Sequence, residues 1–346
     1  MKHSSFLGLV SGGTLVSGST VSTRHNISST CTDFKQRNAW HNLSDLEKGD
    51  FLGAVKCLMT SAPRVGIEGA ESIWDELQYC HVTQANYIHY VGAFLPWHRY
   101  YLHTFETLLK EECGFTGGVP YWDEQRDFAV LSNIENASIW GPDDLSFGTN
   151  GADGAGCVVD GPFTNTTLRM NAAWGVINNT EYCLARQFDQ TMWLDVNQSY
   201  VDACYLSEDY ETANECYLLQ PHDGGHLATG GAPGVGVGTM SSQVASPGDP
   251  VFFVHHANLD RLWWQWQNGN LSARLTDMGG VNVPPEENRV AQQWLYPSSA
   301  VLDYDGDPGN VTTLSHVLSM VGLVPNVTIA EVMDLRNELN CATYIE

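Results

Sequence analysis

The sequence predicts a mainly α fold: a central four-helix bundle with long irregular loops and little β. Three observations predict it. Several segments of helical length carry caps or apolar stripes, one segment is apolar nearly all round, and two long stretches are too rich in breakers for regular structure. Ser44-Asp-Leu-Glu47 is a capping box that opens a helix to about Met59. Ile67–Gln78 places apolar residues at 67, 70, 73, 74 and 77, a helical stripe. Pro96 sits in the first turn of a third helix over 96–112. Asp249 as N-cap and Pro250 at the first helical position open a fourth, ending near Asn268. Phe252, Phe253, Leu259, Trp263 and Trp266 put apolar groups on every side of that helix, so it belongs in the interior. Segments 141–165 and 228–249 are Gly/Asn/Asp-rich and are expected to be irregular. The C-terminal part carries weak signals and is expected to pack onto the core.

The chain has 346 residues, enough to bury a sizeable core, and no linker or repeat divides it. Lys and Arg number 16 against 40 Asp and Glu, a net charge of −24. Such a charge argues against nucleic acid or an anionic membrane as partner, and it favours neutral or cationic small molecules. No apolar run reaches the ~20 residues of a membrane span. Residues 1–23, with a thin apolar stretch at Phe6–Val10, resemble a secretory signal with a weak apolar region. Residues 24–346 read as a single domain. Asn-x-Ser/Thr sequons at Asn26, Asn42, Asn136, Asn165, Asn178, Asn197, Asn270, Asn310 and Asn326 suggest a glycosylated, secreted or lumenal protein. The 9 cysteines are scattered without a Cys-x-x-Cys pair, which reads as disulfides. The odd count leaves at least one thiol over.

Six of the 12 histidines fall into two sets of three. The first is His81, His89 and His98. Gly92 and Pro96 lie between the last two, so those cannot share a helix. The second is His222 and His226, one helical turn apart, completed by His255 or His256. Phe94 and Phe252 each stand four residues before a histidine, His98 and His256, and this match selects His256 and leaves His255 as a buried neighbour. Asp260, one turn on, is an acceptor for His256 or a partner for Arg261. His3, His25, His41, His103 and His316 read as structural or surface residues. A set with no thiolate and no carboxylate suits Cu, Zn, Fe or Ni, and copper binds such a set most strongly. A zinc protease would need Glu after His222, where Asp223 stands.

These residues resemble the tyrosinase and catechol oxidase (polyphenol oxidase) family with coupled binuclear copper, and within it the short secreted fungal forms. The resemblance rests on FLPWHRYYLHTFE at the end of the first histidine set, ECGFTGGVPYWDE, HDGGH and DPVFFVHHANLDRLWWQWQ, and it spans residues 31–340. It implies a tyrosinase-like copper-binding domain over 24–346, with one copper on His81, His89 and His98 and a second on His222, His226 and His256. It implies that dioxygen oxidises o-diphenols (catechols) or o-aminophenols to o-quinones, with hydroxylation of monophenols as an added activity, in pigment or secondary-metabolite formation. Partners are then a small phenol and O₂, with neither nucleic acid nor membrane. No large C-terminal shielding domain follows the core, so activity is expected without its removal.

The sequence also departs from the family's pattern. Tyr87 stands where many relatives carry a cysteine that is thioether-linked to a histidine, and Cys80 is expected in a disulfide instead. Asp223 follows the first histidine of the second set, where relatives efficient on monophenols often have Asn. As a charged carboxylate it could accept a proton or meet a cationic substrate. Leu227 should leave the second copper open to a ring, and Phe252 stands near the substrate or in the core. The alternative readings are a non-catalytic, haemocyanin-like O₂-binding protein and a zinc hydrolase.

Overall fold

The computed structural model describes residues 31–152, 156–173, 176–178, 180–285 and 304–346. The signal-like segment and Asn26 lie outside them. The Ser44 capping box is present: the Glu47 carboxylate accepts from the Ser44 amide at 2.8 Å, and α1 runs Asp45–Thr60. The stripe over 67–78 begins the next helix too early, because a second capping box, Ser72 with Asp75, sets its start. Helix α2 is therefore Ile73–Ile88, and Glu76 in its first turn takes the amides of Arg64, Val65 and Gly66 from the loop ahead. That claim on the loop amides keeps Ile67 and Ala70 out of the helix.

Helix α3 (Phe94–Cys113) starts two residues before Pro96 and closes on Gly114 at φ 68°, a left-handed turn that glycine adopts freely. Four shorter helices follow: α4 (Glu124–Leu131), α5 (Gln198–Tyr205), α6 (Tyr210–Tyr217) and α7 (Asp223–Gly230). Helix α8 (Val251–Gly269) is buried without a break from Val251 to Trp264. Its start follows the expected cap: Pro250 has helical backbone angles, and Asp249 Oδ1 accepts from the Val251 amide at 3.1 Å. The same carboxylate also pairs through both oxygens with the buried Arg186, at 2.8 and 2.9 Å. One buried carboxylate thus satisfies both the helix end and a fully buried guanidinium.

The core is aromatic. Phe105 of α3 stacks on Phe253 of α8 at 3.8 Å between ring centres, and Trp74 of α2 meets Phe253 edge-on at 5.5 Å. Strand content is small. β1 (Lys35–Asn38) pairs in parallel with β8 (Ala342–Ile345), joining the two ends of the described chain. Three short ribbons sit in the loops: β2 (Thr167–Leu168) with β5 (Tyr182–Cys183), β3 (Asn171–Ala173) with β4 (Val176–Asn178), and β6 (Val317–Leu318) with β7 (Val327–Thr328). Segments 141–165 and 228–249 hold short turns and isolated bridges rather than long elements, as their composition predicts.

Under β1 and β8 lies a buried charge network. Arg37 bonds Glu106 at 2.8 Å and Asp260 at 3.0 Å, and Arg99 reaches the other Asp260 oxygen at 2.5 Å. Asp260 also accepts from Tyr344 at 2.6 Å. The carboxylate expected to serve His256 or Arg261 is thus taken by two other arginines and a phenol. Arg261 bonds Asn258 instead, at 2.9 Å.

Four disulfides link Cys31–Cys341, Cys57–Cys113, Cys157–Cys183 and Cys204–Cys216. The second ties the end of α1 to the end of α3. Cys80, expected in a disulfide, is the free and buried thiol. It faces the Met320 sulfur at 3.9 Å from inside α2, because the other eight cysteines pair among themselves. No helix among the described residues is long and apolar enough to cross a membrane.

Candidate metal centre

Four helices bring the histidines together. His81 lies on α2 and His89 caps its C-terminal end, while His98 comes from the second turn of α3. The chain leaves α2 and restarts as α3 between the last two, as Gly92 and Pro96 require. His222 sits at the start of α7, after a π-turn over Leu218–His222, and His226 follows one turn later. His255 and His256 are neighbours on α8. The potential ligand atoms of His81, His89 and His98 lie within 4.8 Å of one another, as do those of His222, His226, His255 and His256. All seven rings are buried.

Their hydrogen bonds fix which nitrogen is free. The Nδ1 atoms of His81, His89 and His98 donate to the carbonyls of Val244, Ala85 and Phe94, each at 2.8 Å. His226 Nδ1 donates to Met240 O at 2.9 Å, and His222 Nδ1 is shared between Leu218 O at 3.1 Å and Asp223 Oδ1 at 3.0 Å. A ring that donates through Nδ1 keeps its Nε2 lone pair for a metal. The Nε2 atoms of His81, His98 and His222 are buried and have no partner. Two of these carbonyls, Met240 and Val244, come from the irregular 228–249 segment, so that loop orients one ring in each cluster.

The two neighbours on α8 behave differently. His256 turns into the gap between the clusters: its ring stacks on His98 at 4.3 Å and 9°, and its Nε2 comes 3.2 Å from His226 Nε2. His255 turns toward α4, where its Nδ1 meets Glu124 Oε1 at 2.6 Å. Glu124 also takes a bond from Asn258 at 3.2 Å. Glycine at 225 makes this possible, since a Cβ there would lie 2.5 Å from the His255 ring and 2.6 Å from Glu124 Oε1.

Burial lowers the basicity of the rings. Desolvation, followed by the neighbouring imidazoles, holds His89, His98, His226 and His256 well below their ordinary range, and desolvation brings His81 to about 3. The rings are therefore neutral lone-pair donors at neutral pH, the form a metal requires.

A cavity of about 240 Å³ opens onto the second cluster. His222, His226, Asp223, Leu227, Tyr90 and Met240 are among its lining residues. Phe252 is not. It is buried beneath the site, 4.1 Å from the His256 ring and 5.4 Å from the His81 ring, and so acts as a floor for both clusters. Of the histidines read as structural, His316 pairs with Asp307 at 2.6 Å and His103 stacks on Tyr100, and neither joins a cluster. Tyr90 carries no motif that marks it in the sequence, and Glu124 ends the ECGFTGGVPYWDE stretch without any spacing that points to His255. Only their placement gives them a role.

The sequence matches the family model for the common central domain of tyrosinase over residues 71–269. The chain belongs to the tyrosinase family. Among curated relatives it is 32% identical to the tyrosinase-like protein phomQ1' of Diaporthe leptostromiformis, over 91% of this chain and 80% of that one. It is 31% identical to tyrosinase ustQ of Aspergillus flavus, over 98% and 90%. Among solved structures, a mutant polyphenol oxidase from Thermothelomyces thermophila superposes with a TM-score of 0.74 at 27% identity, covering 90% of this chain and 89% of that one. The protein is accordingly a tyrosinase-family oxidase, an oxidoreductase of the binuclear copper type.

Proposed function

We propose that His81, His89 and His98 hold one copper ion and that His222, His226 and His256 hold a second. On this pair the enzyme oxidises o-diphenols or o-aminophenols to o-quinones. The observation that carries the reading is the gathering of six buried imidazoles from α2, α3, α7 and α8: the Nδ1 atoms of His81, His89, His98 and His226 donate to carbonyls, the Nε2 atoms of His81, His98 and His222 are buried without a partner, and His226 and His256 bring their Nε2 atoms to 3.2 Å. A donor set of imidazole alone, without thiolate or carboxylate, fits copper. When bound, the copper pair supplies the two-electron exchange between the phenol and dioxygen.

The chain's own residues do the rest. Leu227 and Met240 give the cavity apolar walls that suit an aromatic ring, beside His222 and His226. Asp223, whose Oδ1 touches His222 Nδ1, lines the same cavity, where a carboxylate can either accept a phenol's proton or meet a cationic group on the substrate. In the balanced reaction two o-diphenols each lose two electrons and two protons, and one dioxygen takes all of them to become two waters. The four disulfides and the sequons support a secretory route, where such bonds persist.

Oxygen uptake by copper-loaded protein on a matched o-diphenol and monophenol tests this. Quinone formation from the o-diphenol is expected, and the monophenol rate reads whether hydroxylation accompanies it. Reversible oxygen binding with no turnover would instead favour the haemocyanin-like alternative.

A further inference from the structure

Among the described residues, the approach to the second cluster carries one carboxylate and no ammonium or guanidinium. Asp223 is the acidic residue lining the cavity, and its side chain is 35% exposed. One of its oxygens touches the ring of its neighbour His222, and among the described residues no lysine or arginine pairs with it. Three of the chain's cations are spent elsewhere: Arg37, Arg99 and Arg186 are buried against Glu106, Asp260 and Asp249. The protein wall of the mouth therefore carries one acidic group with no basic side chain beside it, on a chain whose net charge is −24.

Tyr90 lines the same cavity. Its backbone is left-handed, φ 56°, a conformation that a bulky residue takes only when its surroundings impose it. The turn between α2 and α3 imposes it here. Gly92 N–H bonds Val281 O at 2.8 Å, Tyr210 Oη bonds Gly92 O at 2.6 Å, and Asn214 Nδ2 bonds Val91 O at 3.1 Å. A side chain at Gly92 would meet Gly279 O at 2.1 Å, so the turn has one way to pass. The ring of Tyr90 is thereby delivered to the cavity immediately after His89.

We propose that Asp223 and Tyr90 form a cation subsite, and that the enzyme's substrates are o-diphenols or o-aminophenols bearing a positively charged amine. The ammonium pairs with the Asp223 carboxylate and rests against the Tyr90 ring, while the phenol ring enters between Leu227 and the histidines. Phenols bearing a carboxylate are repelled by the same group. This subsite rests on the oxidase reading above.

The test is steady-state kinetics of the copper-loaded enzyme at pH 7 on three catechols of similar size: cationic dopamine, neutral 4-methylcatechol and anionic 3,4-dihydroxyphenylacetate. KM for dopamine is expected to be about tenfold below that for the anion, the scale of one half-exposed charge contact, and the gap narrows as salt rises. In Asp223→Asn the ratio of the two KM values collapses toward one, whatever common factor falls on kcat. Tyr90→Gly, which suits the left-handed backbone, raises KM for dopamine more than for 4-methylcatechol. Equal KM values for cation and anion in the wild-type enzyme, or a ratio that Asp223→Asn leaves unchanged, overturn the subsite while turnover of 4-methylcatechol keeps the oxidase reading intact. Absence of turnover on all three overturns both.

Discussion

His226 and His256 bring their Nε2 atoms to 3.2 Å from opposite helices. Two ring nitrogens cannot both point lone pairs at each other at that distance unless a proton or a cation lies between them. Donors that share one tetrahedral metal at ~2.0–2.1 Å sit about 3.3 Å apart, so the pair already has the spacing of one edge of a metal site. His226 holds its own proton on Nδ1, against Met240 O, which leaves Nε2 bare. This geometry separates His256 from His255 more directly than any sequence spacing.

His256→Ala should lose the second copper and all turnover. His255→Ala should keep two coppers per chain but lower the melting temperature, because Glu124 is then left buried with only Asn258 as partner. Metal analysis of the two purified variants decides it. Loss of copper from His255→Ala with retention in His256→Ala would reverse the assignment.

Gly225→Ala should disturb the second cluster although no ligand changes. The new methyl would press on His255 and Glu124, at 2.5 and 2.6 Å, and both are held by α4 and α8. Overpacking of this kind costs about 1–3 kcal/mol. A lower melting temperature with less than two coppers bound is the expected result, and wild-type values for both would contradict it.

The metal-free protein should lose stability as pH falls below neutrality. The rings of His81, His89, His98, His226 and His256 have folded values below their ordinary 6.5, with burial as the first cause, so the unfolded chain binds more protons between the two values. Their contribution is complete above that ordinary value and is lost on acidification, by about 1.4 kcal/mol per pH unit for each ring. Urea midpoints of the metal-free protein should drop between about pH 7 and pH 5. A flat profile there would show that these rings are not held neutral by burial.

Arg99→Met should loosen the C-terminal segment selectively. The guanidinium lies 3.7 Å over the Trp263 ring, pairs with Asp260 and donates to Met333 O at 2.8 Å, so it ties residues near 333 to α3 and α8. Breaking a buried pair of this kind costs about 3–5 kcal/mol. Amide exchange should quicken over 329–345 before it quickens in α3. Uniform exchange across the chain would argue against a local tie.

Thiol titration should find no reactive cysteine in the native protein and one per chain after unfolding without reductant. Cys80 is buried against Met320, and burial raises its thiol far above the ordinary range, which keeps it out of the reactive thiolate form. Detection of two or more thiols would contradict the disulfide set.

Much of this was legible from local pattern. The Ser44 box, the apolar groups on every side of α8 and the breaker-rich loops follow from relations within a few residues, which any context preserves. The Ile67 stripe misled for the same reason: spacing alone cannot see that Glu76 has claimed the amides of the loop before it. Asp260 misled because its partners, Arg37 and Arg99, stand 223 and 161 residues away.

By itself the sequence supplied the candidate ligands: two sets of histidines, a Phe four residues before His98 and His256, and no thiolate or carboxylate in either set. Tertiary structure alone decided what surrounds that chemistry. It chose the Met240 and Val244 carbonyls that set two tautomers, the Glu124 carboxylate that turns His255 away, the free state of Cys80, and the turn that brings Tyr90 into the cavity Asp223 lines. Ligand type and helical spacing are properties of short segments, whereas tautomer, exposure and charge balance at a cavity arise only when distant segments exclude water from one another.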